Sequence, residues 1–142
     1  IDEEINFATR CIKAWHDRGD FLGEIGVIYM RASHGKRIAR HLQALGISYL
    51  LMTNRASKRG YDPQKPQVSI MSAHSSKGLE FRSVIFIGVG QTDSLKTQRS
   101  QNIKLLYVGM TRAKERLLIT ASAKNEFTEK MATMAGALCA VA

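Results

Sequence analysis

The sequence has 142 residues, which is enough for one α/β domain that buries about two-thirds of its unfolded surface without disulfides or metals. Lys and Arg number 21 against 12 Asp and Glu, and the net charge of +9 favours a polyanionic partner, although a solvated basic surface gives the same count. Cys11 and Cys139 lie far apart and form no C-x-x-C pair, so a zinc site or disulfide framework has no support. Their small number indicates a reducing, cytoplasmic compartment.

The chain opens on Ile1 and three acids, without the basic and apolar regions of a secretion signal. We therefore expect a piece of a longer protein. The tail of small residues from Met131 to Ala142 is too short and too weakly hydrophobic for a transmembrane helix, so no membrane partner is expected.

The first predicted element is an amphipathic helix over residues 2 to 18 that ends at Gly19. Its acids lie at the positive end of the helix dipole. Its buried face is predicted from the apolar series Ile5, Ala8, Ile12 and Trp15.

A strand–helix–strand unit follows. The apolar runs Ile25 to Met30 and Ile47 to Met52 predict two buried strands. Between them, Ser33 is the expected cap of a helix that runs to about Leu45, with Gly46 just past its end. The predicted buried face of this helix contains Ile38, Leu42 and Leu45.

Residues Thr53 to Gln67 are predicted to be a basic loop, with no large insertion between Met52 and Val68. Turn formers interrupt the apolar pattern there, and four cations make the stretch positive. The turn formers are Asn54, Gly60, Asp62, Pro63 and Pro66, and the cations are Arg55, Lys58, Arg59 and Lys65.

The remaining elements alternate in the same way. We predict strands at Val68–Met71, Val84–Ile87 and Leu117–Thr120, joined by a polar connection over residues 72 to 82 and a loop over residues 88 to 101. A helix is marked by Ile103, Leu106, Tyr107 and Met110, and another begins near Glu126. The fold class is therefore α/β, a mainly parallel sheet flanked by helices on both faces, in one domain over residues 1–142.

The first group of chemistry-bearing residues is Ser72-Ala-His-Ser-Ser-Lys-Gly-Leu-Glu80, which follows a predicted strand. Ligands of open α/β sheets bind near the carboxyl ends of strands. Gly78 permits close backbone approach, Lys77 can meet a phosphate, and Glu80 can accept from a ribose hydroxyl. The residues alone favour the alternative, a capped turn that carries a solvated Lys and Glu.

The second group is Thr111-Arg112-Ala-Lys114, between the predicted helix and the last strand. Arg112 is consistent with a surface cation at a helix end or with an arginine finger for a transferring phosphoryl group. Tyr107 is consistent with a core position or with stacking on a base.

Two stretches, His74-Ser-Ser-Lys-Gly-Leu-Glu-Phe81 and Leu106-Tyr-Val-Gly-Met-Thr-Arg-Ala-Lys114, resemble motifs V and VI of UvrD/Rep-type superfamily 1 helicases. The run Gly26-Val-Ile-Tyr-Met-Arg31 is similar to the strand that opens the second motor domain of that family. The resemblance covers roughly residues 20 to 121. It implies the C-terminal RecA-like motor domain, with three layers, of an ATP-driven translocase that moves 3′ to 5′ on single-stranded DNA.

The resemblance also implies roles for individual residues. Arg112 would be the finger on the γ-phosphate and Glu80 the ribose contact, with Gly78 and Lys77 in supporting parts of the nucleotide site. Ser72 and His74 would contact the DNA backbone, and no metal ligand is expected in this chain.

The sequence departs from the family pattern where the triphosphate should be held. It has no G-x-x-x-x-G-K-[ST], because His34-Gly-Lys-Arg37 lacks the first glycine and the hydroxyl residue. The acids Asp2-Glu-Glu4 resemble a Mg²⁺-binding pair but open a helix without a preceding strand, and Arg31 lies one place from the usual arginine of its strand.

ATP and Mg²⁺ are therefore expected to be held mainly by an N-terminal RecA-like motor domain of the same protein, absent here. The alternative is a catalytically idle module that binds nucleic acid or protein.

Overall fold

The computed structural model describes residues 1–92 and 98–135. Its strands are β1 Ile25–Tyr29, β2 Tyr49–Met52, β3 Val68–Ser72, β4 Phe81–Ile87 and β5 Ala113–Ile119. Its helices are α1 Asp2–Asp17, α2 Ala32–Ala44, α3 Arg55–Arg59, α4 Arg99–Met110 and α5 Glu126–Ala135, with short 3₁₀ turns at Leu22–Glu24 and Val89–Gln91.

The five strands form one sheet in the order β2-β3-β1-β4-β5, and every neighbouring pair is parallel. All five residues of β1, the central strand, are buried, as expected for a strand covered on both faces. The predicted α/β class with a mainly parallel sheet is confirmed.

Helices cover both faces of the sheet. On one face, α1 and α2 bury Ile5, Ile12, Ile38 and Leu42 completely against the sheet. On the other face, α4 and α5 contribute the buried Leu106 and Phe127 to a second cluster, which also contains Phe81, Phe86, Met52 and Met71. Because all neighbouring strands run parallel, the segments that follow the five strands begin at one edge of the sheet, the carboxyl edge.

The prediction of a plain loop from Thr53 to Gln67 is wrong, because α3 lies within it. Asn54 caps this helix: its Oδ1 accepts from the Ser57 amide at 2.8 Å, and Ser57 Oγ accepts from the Asn54 amide at 3.0 Å. Beyond α3, the ring of Tyr61 packs edge-on against Phe81 with centroids 5.9 Å apart. The segment is thus the crossover connection between the adjacent parallel strands β2 and β3.

Two strands begin earlier than predicted. β4 starts at Phe81, which is 1% exposed and packs over Gly26 so closely that a Cβ there would lie 2.6 Å from the ring. The exposed Arg82 interrupts the apolar run, so the sequence pattern does not show this start. β5 starts at Ala113. It is an edge strand with one neighbour and keeps polar, exposed residues such as Lys114, so no apolar run marks its start.

Helix starts also differ from the sequence prediction. Arg31, not Ser33, occupies the cap position of α2, and α4 begins at Arg99 inside the predicted loop. Leu45, expected in the core, is 38% exposed because it lies past the end of α2. The predicted positions of Gly19 and Gly46 after their helices are confirmed, with φ of 105° and 68°.

The C-terminal helix is confirmed at Glu126, where α5 begins. The rest of the small-residue tail beyond residue 135 and Cys139 lie outside the described residues. Within residues 1–92 and 98–135, none of the helices combines the length and the apolar character needed to cross a membrane.

Candidate nucleotide and nucleic-acid site

The candidate DNA-contacting residues lie at the carboxyl end of β3. Ser72 is the last residue of the strand, and its Oγ accepts from the Ser75 amide and donates to Ser75 Oγ, both at 3.1 Å. Ser76 is buried and donates to the Ala73 carbonyl at 2.7 Å, which tightens the turn. His74 is left exposed at this edge of the sheet.

From His74 the chain crosses to the opposite edge of the sheet. Glu80 directly precedes β4. The first residue of β4 lies two positions before Ser83, and Ser83 pairs with Ile25 at the start of β1, so Glu80 lies at the amino edge of the sheet. The expectation that all of these polar groups lie near a strand's carboxyl end holds for His74 and is wrong for Glu80. Gly78 has φ of +79°, and a Cβ there would meet no atom within 4 Å, so its backbone faces open space beside exposed Lys77.

Arg112 joins the end of α4 to the start of β5 and is fixed on several sides. Its Nε donates to the Val108 carbonyl at 2.9 Å, its Nη2 to Thr111 Oγ1 at 3.1 Å, and its Nη1 to the Leu79 carbonyl at 3.4 Å. Its own carbonyl accepts from the Phe81 amide at 2.9 Å.

The residues on either side of Glu80 therefore both contact Arg112. The structure brings Glu80 and Arg112 together at the amino edge of the sheet. It places Ser72 and His74 at the other edge. The predicted DNA contacts are therefore spatially separate from the predicted nucleotide contacts.

The close packing of α4 on the sheet positions Arg112. A Cβ on Gly109 would lie 2.7 Å from the Phe86 ring, so only glycine permits this approach. At the end of the helix, Thr111 Oγ1 donates to the Tyr107 carbonyl at 2.9 Å. The Tyr107 side chain is 69% exposed, so its core alternative is wrong and the ring is free to contact another molecule.

Glu4 has a role that the sequence patterns did not predict. Its carboxylate is buried at the carboxyl edge, where it accepts from the Gly88 amide at 3.0 Å, Thr120 Oγ1 at 2.7 Å and the Ser122 amide at 2.6 Å. Burial by itself raises the pKa of Glu4, but the hydrogen bonds from Ser122, Thr120 and Gly88 outweigh it, so the pKa lies below its usual value. The available signal was its four- and eight-residue spacing to the buried Ala8 and Ile12.

His34 lies close to the Glu4 carboxylate. The side chain is 3% exposed, and its Nδ1 has no hydrogen-bond partner in the described part of the chain. Burial lowers the pKa of His34, which favours the neutral ring at pH 7. Gly88 has φ of +79°, and a Cβ there would lie 2.8 Å from that Nδ1, so the loop after β4 requires glycine.

A family model described as the UvrD-like helicase C-terminal domain matches residues 53–124, half of the chain. The chain belongs to this family. The matched residues include both Ser72–Glu80 and Arg112, the two groups that the resemblance singled out.

Two curated relatives support the same family. The ATP-dependent DNA helicase Rep of Buchnera aphidicola subsp. Schizaphis graminum is 41% identical over 76 residues, which cover 49% of this chain and 12% of that protein. A probable DNA helicase II homologue of Mycoplasma genitalium is 40% identical over 63 residues, 38% of this chain and 9% of that protein. The match spans only a small part of these relatives.

A solved structure supports the fold. The C-terminal domain of a possible DNA helicase from Lactobacillus plantarum WCFS1 superposes with a TM-score of 0.65 at 18% identity, covering 89% of this chain and 71% of that one. A second neighbour, the C-terminal part of the Fun30 ATPase domain, gives a TM-score of 0.55 at 15% identity, over 96% of this chain and 46% of that one. The UvrD-like C-terminal domain therefore has the expected RecA-like fold.

Proposed function

We propose that this domain is the second motor domain of an ATP-dependent DNA helicase or translocase that moves 3′ to 5′, and that it supplies an arginine finger and part of the single-stranded DNA contact. The observation that carries the proposal is the junction of Arg112 with the residues flanking Glu80. This junction places a guanidinium and a carboxylate at the amino edge of the sheet. A nucleotide site shared between two domains needs both groups.

The residues present fit one side of a nucleotide. Glu80 is exposed and offers an acceptor for ribose hydroxyls, Gly78 leaves open space beside the backbone, and Lys77 adds a cation. Among residues 1–92 and 98–135, no group of three His, Cys, Asp or Glu side chains is arranged to hold a metal ion. Since the chain has no glycine-rich phosphate loop, Mg²⁺ and the triphosphate would be held mainly by an N-terminal RecA-like motor domain, with this chain closing over them.

Arg112 would act on the reaction by position and charge. ATP supplies a γ-phosphoryl group whose oxygens carry negative charge as it is transferred. The planar guanidinium can donate to two such oxygens at once, and its intramolecular hydrogen bonds hold it at the domain edge before closure. Fingers of this kind contribute about 10³ to 10⁵ in rate.

Ser72 and His74 would hold the DNA strand at the opposite edge. Hydroxyl and imidazole groups can donate to phosphate or sugar oxygens, contacts that carry no sequence information. The Ser72 hydroxyl has one proton, which it donates to Ser75 Oγ in this structure, so that hydrogen bond would be exchanged for one to the strand. Closure and opening of the two motor domains would then move the strand past these residues in the cytoplasm.

Arg112→Ala in the longer protein that contains this domain tests the finger. We expect ATP turnover to fall by about 10³ or more while affinity for single-stranded DNA changes little, because Arg112 lies at the edge away from Ser72 and His74. Steady-state ATPase rates and fluorescence anisotropy with oligo(dT) measure the two effects. Lys114→Ala, which removes an exposed cation two residues away, is the control and should retain turnover.

The second candidate function, an idle binding module, is favoured by the three intramolecular hydrogen bonds of the Arg112 guanidinium, which also suit a structural role. Equal losses of DNA binding, thermal stability and ATP turnover in Arg112→Ala would support it and count against the finger.

A further inference from the structure

The short helix α3 carries a positive surface that neither proposed ligand site uses. Arg55 and Arg59 are exposed on it and Lys58 is partly exposed, and we call these three residues the α3 cluster. From residue 53 to 77 the chain holds five Lys and Arg but one acid, Asp62. That acid accepts from the Gln64 amide at 2.9 Å, beyond the end of α3.

The three cations of the α3 cluster make no ion pair with any described residue. Elsewhere several surface cations do pair, as Lys13 does with Asp17 at 2.7 Å and Arg116 with Asp20 at 3.0 Å. The charge of the cluster is therefore uncompensated within the described chain, and a polyanion that approaches it displaces only counterions.

The α3 cluster is held next to the candidate DNA contacts. Met52 at the end of β2 pairs with Met71, so α3 starts at the same edge as Ser72, on the neighbouring strand. Lys58 Nζ donates to the Lys77 carbonyl at 2.9 Å, which ties α3 to the turn that carries His74. The capping box at Asn54 fixes the start of the helix.

We propose that the α3 cluster is a further binding surface for the phosphate backbone of single-stranded DNA, continuous with the Ser72 and His74 contacts. The proposal rests on the proposed DNA-binding function and extends its site to a neighbouring element. Arg55 and Arg59 neutralise phosphates, while Lys58 mainly anchors the helix to the turn. Such contacts are independent of base identity and depend steeply on salt.

The test is the salt dependence of oligo(dT) binding by the longer protein that contains this domain, measured by fluorescence anisotropy. Each lost phosphate contact on a single strand lowers the slope of log K against log salt by about 0.7. Arg55→Gln with Arg59→Gln should therefore reduce the slope by about 1.4. The affinity loss between about 50 and 200 mM salt then shrinks by about sevenfold.

A variant with the same change of charge is the control. Arg10→Gln with Arg18→Gln removes two exposed cations from α1 and its end, outside the basic segment from residue 53 to 77. This control should keep the slope of the unmodified longer protein. Unfolding midpoints in urea should stay unchanged in both double variants, because all four side chains are exposed.

The outcomes separate the inference from the proposed function. A slope reduced only in the Arg55 and Arg59 variant supports the cluster as a DNA surface. If His74→Ala weakens binding while that double variant keeps the original slope, the DNA function stands and the cluster is a solvated or protein-binding surface. If the unmodified longer protein fails to bind oligo(dT) even at about 50 mM salt, both proposals are overturned.

Discussion

At the scale of single residues, Glu4 shows how burial changes the role of a charged side chain. Its neighbours Asp2 and Glu3 are exposed, whereas Glu4 is 5% exposed and binds groups that follow β4 and β5. A carboxylate that accepts several hydrogen bonds is stabilised in its charged form although burial opposes that form. Glu4 thereby holds the start of α1 against the carboxyl edge of the sheet.

Glu4→Gln should reduce the free energy of unfolding by about 1 to 3 kcal/mol at pH 7, because an amide cannot accept all three donors. The lowered folded pKa also stabilises the fold above the unfolded value of about 4.3, an effect lost as pH falls through that value toward the folded pKa. Urea unfolding from about pH 7 to 3 should therefore show a shallower acid dependence in the variant. Glu3→Gln is the exposed control, and equal pH profiles for both variants would contradict this role of Glu4.

At the scale of elements, α3 determines how the segment between β2 and β3 presents its positive charges. A free basic loop would present its cations in many arrangements, whereas the capped helix presents them on a defined surface beside Lys77. The helix has only five residues and no buried side chain. Its order therefore depends on its cap and on the anchor of Lys58, not on core packing.

Asn54→Ala should destabilise α3 by about 1 kcal/mol, because the Ser57 amide loses its acceptor. Faster hydrogen exchange at the Ser57 amide would report this directly, and binding to oligo(dT) should weaken with it. Asn54→Ser, which keeps a capping oxygen, should preserve both. Unchanged protection of the Ser57 amide in Asn54→Ala would show that the cap does not hold α3.

At the scale of the whole molecule, the parallel sheet separates the proposed DNA contacts from the proposed nucleotide contacts. Ser72, His74 and α3 lie at its carboxyl edge, whereas Glu80 and Arg112 lie at its amino edge. The segment from residue 73 to 80 connects the two edges. A single rigid domain can therefore face a DNA strand and a nucleotide at different places, and a movement of the domain acts on both.

The purified 142-residue chain should show no Mg²⁺-dependent ATP hydrolysis, because it lacks the glycine-rich loop that holds the triphosphate. Release of inorganic phosphate with ATP and Mg²⁺, with and without oligo(dT), is the measurement. Turnover that Arg112→Ala abolishes would contradict the prediction, since it would show that this chain binds and activates the triphosphate alone.

The sequence by itself determined the class of the fold, the approximate place of all five strands, and the family. Buried parallel strands require near-continuous apolar runs, and the two motifs that led to the family are contiguous stretches. Local periodicity also predicted the first helix. The glycines that follow α1 and α2 were predicted from their residue type and their place after each helix. Periodicity did not reveal α3, whose five residues are too few for a hydrophobic repeat.

Only the tertiary structure decided which residues meet. The contacts of Glu4 with Gly88 and Thr120 join positions 84 and 116 residues apart, and the donation from Arg112 to Leu79 spans 33. Such contacts depend on the strand order β2-β3-β1-β4-β5, which no local pattern encodes. The strand order and registers therefore determine that Glu80 lies with Arg112 and that α3 lies beside the turn of His74.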